Sequence, residues 1–248
     1  MKINNHVYLV GSGKMGMDWT APSDCNVYLL NGGSECALID TGTGDSVDQI
    51  LEHVQDSGFS PADLKYILLT HVHADHAGGA ASIREKTGAS VVVFEDAESV
   101  LEEGNEDEID LTVAKKAGFY PSDYHFRPCK VDMVVKDGAQ LSVGSLNVRV
   151  VETPGHSRFD LSFIVEDSGG KVHLFSGDTI MYDGKISMLH TRDFNLQSLA
   201  ASVEKLSKVN GVESLLPGHF QPAVRNGSSH VLKAHDIFEK MGVPPNIV

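Results

Sequence analysis

Four potential metal ligands lie within residues 71–76, shortly after an apolar run at residues 66–69. Side chains alternate between faces in an extended segment, so His71 and His73 are expected to project together at the end of a buried strand. Asp75 and His76 follow where small residues can begin a helix, and they can form a second group. Imidazole and carboxylate bind divalent transition metals, and four ligands exceed what one tetrahedral ion needs when other ligands come from elsewhere. The spacing predicts two metals side by side; the alternative is a set of ordinary polar residues at a strand end.

Length and charge restrict the class of protein. With 248 residues the chain can build one large α/β domain with a proper core or two small ones, and the sequence contains no linker or repeat that would divide it. Residues 1–248 are therefore expected to form a single domain. The formal net charge of −14 argues against a nucleic-acid-binding surface, because phosphate affinity comes mainly from clustered Lys and Arg. We expect a small-molecule substrate, with no nucleic acid and no membrane as partners.

The cysteines and the first residues of the chain bear on the cellular compartment. Cys25, Cys36 and Cys129 are odd in number and share no Cys-x-x-Cys spacing, which is typical of reduced thiols. The N-terminus lacks the continuous apolar segment of a signal peptide, and no apolar stretch approaches the length that spans a bilayer. These features predict a cytoplasmic protein.

The order of elements in the first part of the chain is typical of an α/β protein. Residues 26–30 and 36–39 are predicted to form a hairpin around Asn31, since Asn-Gly is a strong hairpin signal. Asp45 and Ser46 can cap a helix that runs to about Gln55. A further helix is expected over residues 76–86. Alternating strands and helices predict a layered α/β domain.

A helical, acidic and aromatic excursion is predicted at about residues 95–130, and these residues are called the excursion below. A helix is expected from Glu95 to Lys116, with an acidic block that forms a solvated face. An aromatic cluster follows at residues 119–126. This cluster is interpreted either as a small satellite core or as a lid or pocket wall over the site.

Three further strand ends carry a histidine or an aspartate. His156, Asp178 and His219 each follow a predicted strand in a segment that contains Gly, and binding residues are expected on loops held at strand ends. Asp40 follows an earlier strand. We interpret it as a partner that orients a ligand histidine, with a turn or cap role as the alternative.

With these residues in this order, the chain resembles the metallo-β-lactamase-fold hydrolase superfamily. In outline it is most similar to lactonase-like and glyoxalase-II-like members without the C-terminal helical domain. The resemblance implies an α/β fold arranged as a four-layer αβ/βα sandwich. It also implies two divalent metal ions, with zinc expected first and iron or manganese as alternatives. The implied ligands are His71, His73 and His156 on the first metal, Asp75, His76 and His219 on the second, and Asp178 as the bridge.

Such a site predicts a dinuclear metal-dependent hydrolase that attacks a carbonyl carbon with a metal-bridging hydroxide. A lactone, an ester or a thioester would be the substrate, with a lactone as the leading expectation. Asp75, Asp178 and Tyr182 are the predicted catalytic residues. Tyr182 is interpreted by resemblance as a tyrosine that binds the substrate carbonyl, and simple packing is its alternative. His190 is a candidate substrate contact.

Two hypotheses from other classes remain open. A single iron held by His71, His156 and Asp178 would resemble the site of persulfide dioxygenases, which is redox-active. A binding or regulatory module that keeps the metals without turnover is the other. A homodimer is also expected, on resemblance alone.

Overall fold

The computed structural model describes residues 1–247 and divides the chain into two compact units. Unit 1 comprises Met1–Val135 with Val143–Ser145, and unit 2 comprises Lys136–Ser142 with the chain from Leu146 onward. Each unit is built on its own β-sheet. The expectation of a single domain over residues 1–248 stays a prediction.

Unit 1 contains a six-stranded sheet whose strands follow one another in chain order. Its strands are β1 Val7–Gly11, β2 Val27–Asn31, β3 Cys36–Ile39, β4 Leu64–Leu68, β5 Ser90–Phe94 and β6 Met133–Val135. The hairpin predicted around Asn31 is confirmed, because β2 and β3 pair antiparallel with Asn31 opposite Cys36. From β3 to β6 the pairs are parallel. Both faces of the inner strands are buried, which is why they consist of nearly continuous apolar residues.

The helices of unit 1 are short, apart from the first. They are α1 Val47–Asp56, α2 Ala74–Ala77, α3 Ala80–Thr87, α4 Glu98–Glu103 and α5 Leu111–Lys116, with 3-10 turns at Pro61–Asp63 and Glu95–Ala97. Helix α1 begins after Ser46 as predicted and buries Val47, Ile50, Leu51 and Val54 on one face. Ser46 caps it without a side-chain bond to the helix, since its hydroxyl accepts from the backbone N–H of Ala21.

The helix predicted over residues 76–86 is divided between α2 and α3 at Gly78 and Gly79. A Cβ at Gly78 would lie 2.3 Å from the backbone oxygen of Thr43, and one at Gly79 would lie 2.4 Å from that of Thr41. The two glycines therefore let the chain pass close to a neighbouring loop, which sequence periodicity does not reveal.

The continuous helix predicted from Glu95 to Lys116 is wrong. Helix α4 ends at Glu103 because the next residue, Gly104, is left-handed with φ +62°. Helix α5 begins only after Asp110, which has φ +48°. The acidic block between them is partly structural, because Glu106 accepts from the backbone N–H of Phe126 and from Lys115 Nζ. These contacts join different parts of the excursion to one another. The acidic block is therefore not only a solvated face, because at least Glu106 has a structural role.

Unit 2 contains a five-stranded sheet in the order β11-β10-β9-β8-β7. Its strands are β7 Gln140–Val143, β8 Leu146–Glu152, β9 Leu161–Glu166, β10 Val172–Gly177 and β11 Val212–Pro217. Helices α6 Leu196–Ser207 and α7 Gly227–Glu239 accompany it, with a 3-10 turn at Tyr182–Gly184. Its core joins sheet residues such as Leu174 and Leu215 to Val203 of α6 and Val231 of α7. Among residues 1–247, no helix is both long enough and apolar enough to cross a bilayer.

Candidate metal centre

The histidines at the end of β4 form a tight pair in unit 1. His71 and His73 lie beyond the last strand residue, Leu68, and both are buried. The Nε2 atom of His71 is 3.1 Å from Nδ1 of His73. The predicted shared face of these two imidazoles is thus present, with two ring nitrogens converging on one point.

Asp75 and His76 follow on α2, and Asp40 supports them. The Nε2 atom of His76 is 3.5 Å from Oδ2 of Asp75, while its Nδ1–H donates to Oδ2 of Asp40 at 2.9 Å. Asp40 also accepts from the backbone N–H and the hydroxyl of Thr70, at 2.8 Å each. The carboxylate thereby selects the His76 tautomer whose acceptor nitrogen is Nε2. The predicted contact of Asp40 with a candidate ligand histidine is present.

Asp40 occupies a left-handed backbone conformation, with φ +62°. Asn and Asp tolerate this conformation better than other non-glycine residues, so Asp40→Asn changes the side chain without adding backbone strain. The new amide faces three donors with only one acceptor oxygen. We expect Asp40→Asn to lower metal affinity by about 10- to 100-fold, because His76 loses the group that orients it. Titration of the metal-free protein with zinc measures the change in affinity.

Asp24→Asn is the matched control for Asp40→Asn. Asp24 is also buried in unit 1, and it accepts from the backbone N–H and hydroxyl of Thr43 and from the N–H of Ala21. Both substitutions remove a buried carboxylate, and each is expected to cost about 1–3 kcal/mol of unfolding free energy. Only Asp40→Asn is expected to weaken metal binding. Equal metal affinity in the two variants would contradict the orienting role of Asp40.

Two tyrosines of the excursion reach this region of unit 1. Both belong to the predicted aromatic cluster at residues 119–126, but no individual role was predicted for either. Tyr120 donates its hydroxyl to Oδ1 of Asp75 at 2.8 Å, and Tyr124 donates to the backbone oxygen of Thr43 at 2.8 Å. The two rings stack with centroids 5.2 Å apart. Burial, and then the neighbouring Asp75, raises the pKa of Tyr120, which keeps its hydroxyl protonated. The aromatic cluster was the only sequence signal of these contacts.

Unit 2 brings together the three later candidates, all buried. Asp178 follows β10 and His219 follows β11, while His156 lies in the loop after β8. Oxygen Oδ2 of Asp178 is 3.5 Å from Nε2 of His156 and 3.4 Å from Nε2 of His219. One carboxylate oxygen therefore faces two imidazole nitrogens.

The His156 loop is held by a buried network within unit 2. The Nδ1–H of His156 donates to the backbone oxygen of Ser187 at 3.1 Å, which makes Nε2 the acceptor nitrogen facing Asp178. Asp160 accepts from the backbone N–H and the hydroxyl of Ser157 at 2.7 and 2.6 Å. Burial raises the pKa of Asp160 well above its usual range, and these two bonds oppose the rise. Sequence reasoning missed Asp160, although its spacing of three from Ser157 is a known turn pattern.

The donor sets fit a divalent transition metal. A tetrahedral ion with bonds of about 2.0–2.1 Å has ligand atoms separated by about 3.3 Å. The contacts described above, His71 with His73, Asp75 with His76, and Asp178 with each of its two histidines, measure between 3.1 and 3.5 Å. Donor type and spacing within each unit are therefore those of a metal ligand set. Below, His71, His73, Asp75 and His76 are called the first donor group, and His156, Asp178 and His219 the second.

Cys25 lies beside Asp40 and His76, with one potential ligand atom of each residue within 4.8 Å of the others. Burial raises the pKa of the Cys25 thiol to about 12, so it is neutral at physiological pH. Asp40 and His76 already bond to each other. We therefore interpret Cys25 and Asp40 as neighbours of the candidate ligand His76, and not as a separate metal site. All three cysteines are free thiols, as predicted.

The remaining candidates lie at the surface of unit 2. Tyr182 is 37% exposed, and its ring packs on His230 of α7 with centroids 4.5 Å apart. His190 is exposed. Packing on His230 is the simple alternative that the sequence left open for Tyr182, and the substrate-binding roles of Tyr182 and His190 stay predictions.

A family model matches most of the chain. Residues 20–219 match the model described as the metallo-beta-lactamase superfamily. The matched range includes both donor groups.

Two curated relatives share part of this sequence. The atrochrysone carboxyl ACP thioesterase dmxR1 of Cryptosporiopsis sp. (strain 8999) is 29% identical over 167 residues, which is 66% of this chain. The chain spans 41% of the length of that relative. The acyl-coenzyme A thioesterase MBLAC2 of Gallus gallus is 27% identical over 230 residues, covering 84% of this chain and 79% of the relative.

The fold also matches solved structures. A metallo-beta-lactamase of Cronobacter sakazakii, described by its HARLDQ motif, superposes with a TM-score of 0.74 at 22% identity, covering 97% of this chain and 96% of the other. At this identity the likeness bears on the fold alone, and it confirms the predicted mixed α/β fold with two sheets.

Proposed function

Because the chain belongs to the metallo-beta-lactamase superfamily, we propose that it is a dinuclear zinc hydrolase that cleaves an acyl thioester or a related ester at the carbonyl carbon. The observation that carries this proposal is the Asp178 oxygen that faces two imidazole nitrogens at 3.4 and 3.5 Å. A carboxylate in that position is suited to join two metal sites.

In this proposal the ligand assignment is the one that the family resemblance implies: His71, His73 and His156 for the first metal, Asp75, His76 and His219 for the second, and Asp178 for both. Support comes from donor chemistry, since imidazole and carboxylate suit zinc, and from the ligand spacing within each unit. A metal pair supplies a water of lowered pKa and a Lewis acid for the substrate carbonyl.

The chain's own residues orient the ligands, and one of them accepts the proton of the attacking water. Asp40 and the Ser187 carbonyl fix the tautomers of His76 and His156, so both present Nε2. Asp178 is the buried carboxylate of the second donor group, and we assign it the proton that leaves the attacking water. Tyr182 is proposed to contact the substrate carbonyl.

Thioesters take precedence over lactones in this proposal. Two relatives are named thioesterases, one an atrochrysone carboxyl ACP thioesterase and one an acyl-coenzyme A thioesterase. A thioester carbonyl is attacked by the same nucleophile as a lactone and has a better leaving group, so one site can serve both. The lactone remains the comparison substrate.

We expect that removing the metals abolishes hydrolysis and that zinc restores it. The protein is stripped with a chelator, reloaded with zinc or with iron, and assayed on an acyl-coenzyme A, an N-acylhomoserine lactone and a simple aryl ester. The expected result is two zinc ions per chain and at least about a 1,000-fold recovery of thioester or ester cleavage, because the attacking water depends on the metal.

Three outcomes would contradict this function. One iron per chain with oxygen uptake on a persulfide would favour the dioxygenase hypothesis. Two metals without turnover on any ester or thioester would favour a binding module. Full activity in the stripped protein would show that the metals play no part.

A further inference from the structure

The excursion contacts the first donor group through the side chain of Tyr120. Its hydroxyl donates to Oδ1 of Asp75 at 2.8 Å and accepts from the backbone N–H of the same residue at 3.1 Å. Asp75 lies in the first turn of α2, where backbone N–H groups have no partner within the helix. One hydroxyl thus holds both the backbone and the side chain of a candidate ligand.

This contact assigns different tasks to the two carboxylate oxygens. Oδ1 of Asp75 bonds to Tyr120, and Oδ2 is the oxygen that lies 3.5 Å from Nε2 of His76. The terminal torsion of an aspartate is broad and weakly restrained by itself. A fixed donor on Oδ1 therefore determines which oxygen is presented beside His76.

Tyr120 is itself held in place by the rest of the excursion. Its ring stacks on Tyr124, whose hydroxyl bonds to Thr43. The Phe119 carbonyl, one residue earlier, accepts from the hydroxyl of Ser23 at 2.9 Å. Arg127 pairs with Glu85 of α3. Tyr120 therefore approaches Asp75 from a scaffold that is fixed on both sides.

We propose that Tyr120 is a positioning residue for the second metal, which it serves by orienting the carboxylate of Asp75. This inference rests on the proposed dinuclear function. Its consequence is that the excursion, which carries no candidate ligand of its own, determines the occupancy of one of the two metals. A group that hydrogen-bonds to a ligand typically contributes 10- to 100-fold to metal affinity.

The test is zinc binding by Tyr120→Phe, with Tyr124→Phe as the matched control. Both variants keep the stacked ring pair and lose one partly buried hydroxyl, but only Tyr120 bonds to a candidate ligand. Stripped proteins are titrated with zinc against a competing chelator. We expect the weaker of the two zinc sites to lose about 10- to 100-fold in affinity in Tyr120→Phe, with the other site unchanged. Tyr124→Phe should match the wild type at both sites.

A double-mutant cycle separates positioning from general loosening of the excursion. Asp75→Ala alone should remove the second zinc, and adding Tyr120→Phe to it should not change the affinity of the remaining site. A further loss in the double variant would show that Tyr120 acts on the structure at large, and it would overturn the proposal.

The outcomes distinguish this inference from the proposed function. If the wild type binds two zinc ions and Tyr120→Phe binds both as tightly, the role of Tyr120 is overturned and the function stands. Equal losses in Tyr120→Phe and Tyr124→Phe would overturn it in the same way. If the wild type binds fewer than two metals, the dinuclear function itself fails.

Discussion

Asp178→Ala is expected to reduce hydrolysis by at least about 1,000-fold and to prevent the protein from retaining its metal pair. The loss should exceed the 10- to 100-fold that a partner of a ligand contributes, because Asp178 is proposed to be a ligand of both metals. Activity on the best ester or thioester, together with metal content after gel filtration, measures this.

The same substitution has an opposite expected effect on the stripped protein. Asp178 is buried with only 4% of its surface exposed, and a buried carboxylate costs stability unless a cation compensates it. Without metal, Asp178→Ala should therefore unfold at the same temperature as the wild type or at a higher one. With zinc at about 1,000 times its dissociation constant, only the wild type should gain about 4 kcal/mol per bound ion.

Asp183→Asn is the control for Asp178→Ala, because asparagine tolerates the positive φ of this residue, +63°. Asp183 lies at the surface of the same unit, where it pairs with Lys233 at 2.7 Å, and such exposed pairs contribute little. The control variant should retain its metals and its activity. A stripped Asp178→Ala protein that is strongly destabilised would contradict the view that this carboxylate is held in place for a cation.

Gly155→Ala is expected to destabilise the protein by about 3 kcal/mol or more. Gly155 has φ +145°, a conformation that residues with a Cβ rarely adopt, and a Cβ there would lie 2.3 Å from the backbone nitrogen of Leu199. Strain of this kind costs about 1–3 kcal/mol, and a clash with backbone adds a similar amount. Urea unfolding of the stripped protein, followed by circular dichroism, measures the difference.

Gly170→Ala provides the matched comparison for Gly155→Ala in the same unit. Gly170 also has a positive φ, +75°, but a Cβ there would approach only Glu166 Oε1, at 4.0 Å. We expect a loss of about 1 kcal/mol. Gly155→Ala should also weaken zinc binding, since His156 is the next residue, whereas Gly170→Ala should not. Equal stability of the two variants would show that the backbone near Leu199 moves away from the added Cβ at little cost in free energy.

Local patterns in the sequence were enough to predict the strands, their ends and the candidate ligands. Strand β5 begins and ends where its apolar run predicts, and the hairpin around Asn31 follows from two residues of turn chemistry. His71 and His73 converge because alternate residues share a face. Such features depend on neighbours a few residues apart, so a single sequence contains them.

Predictions failed where a distant contact overrides a local pattern. The helix expected from Glu95 to Lys116 is interrupted between Gly104 and Asp110, where Glu106 instead bonds to Phe126, twenty residues away. The helix over residues 76–86 is likewise divided by two glycines that let another loop approach. Periodicity shows that a segment can be helical. It does not show that the free-energy cost of interrupting the helix is offset by contacts with distant residues.

What the sequence by itself determined is the family, the approximate positions of the strands along the chain and the candidate donor residues, because each depends on residue type and short spacing. What only the tertiary structure decided is how those donors are held. Asp40 bonds to His76 across 36 residues, and Tyr120 bonds to Asp75 across 45. The physical reason is that hydrogen-bond direction and carboxylate orientation depend on atoms brought together by folding, which no local pattern encodes.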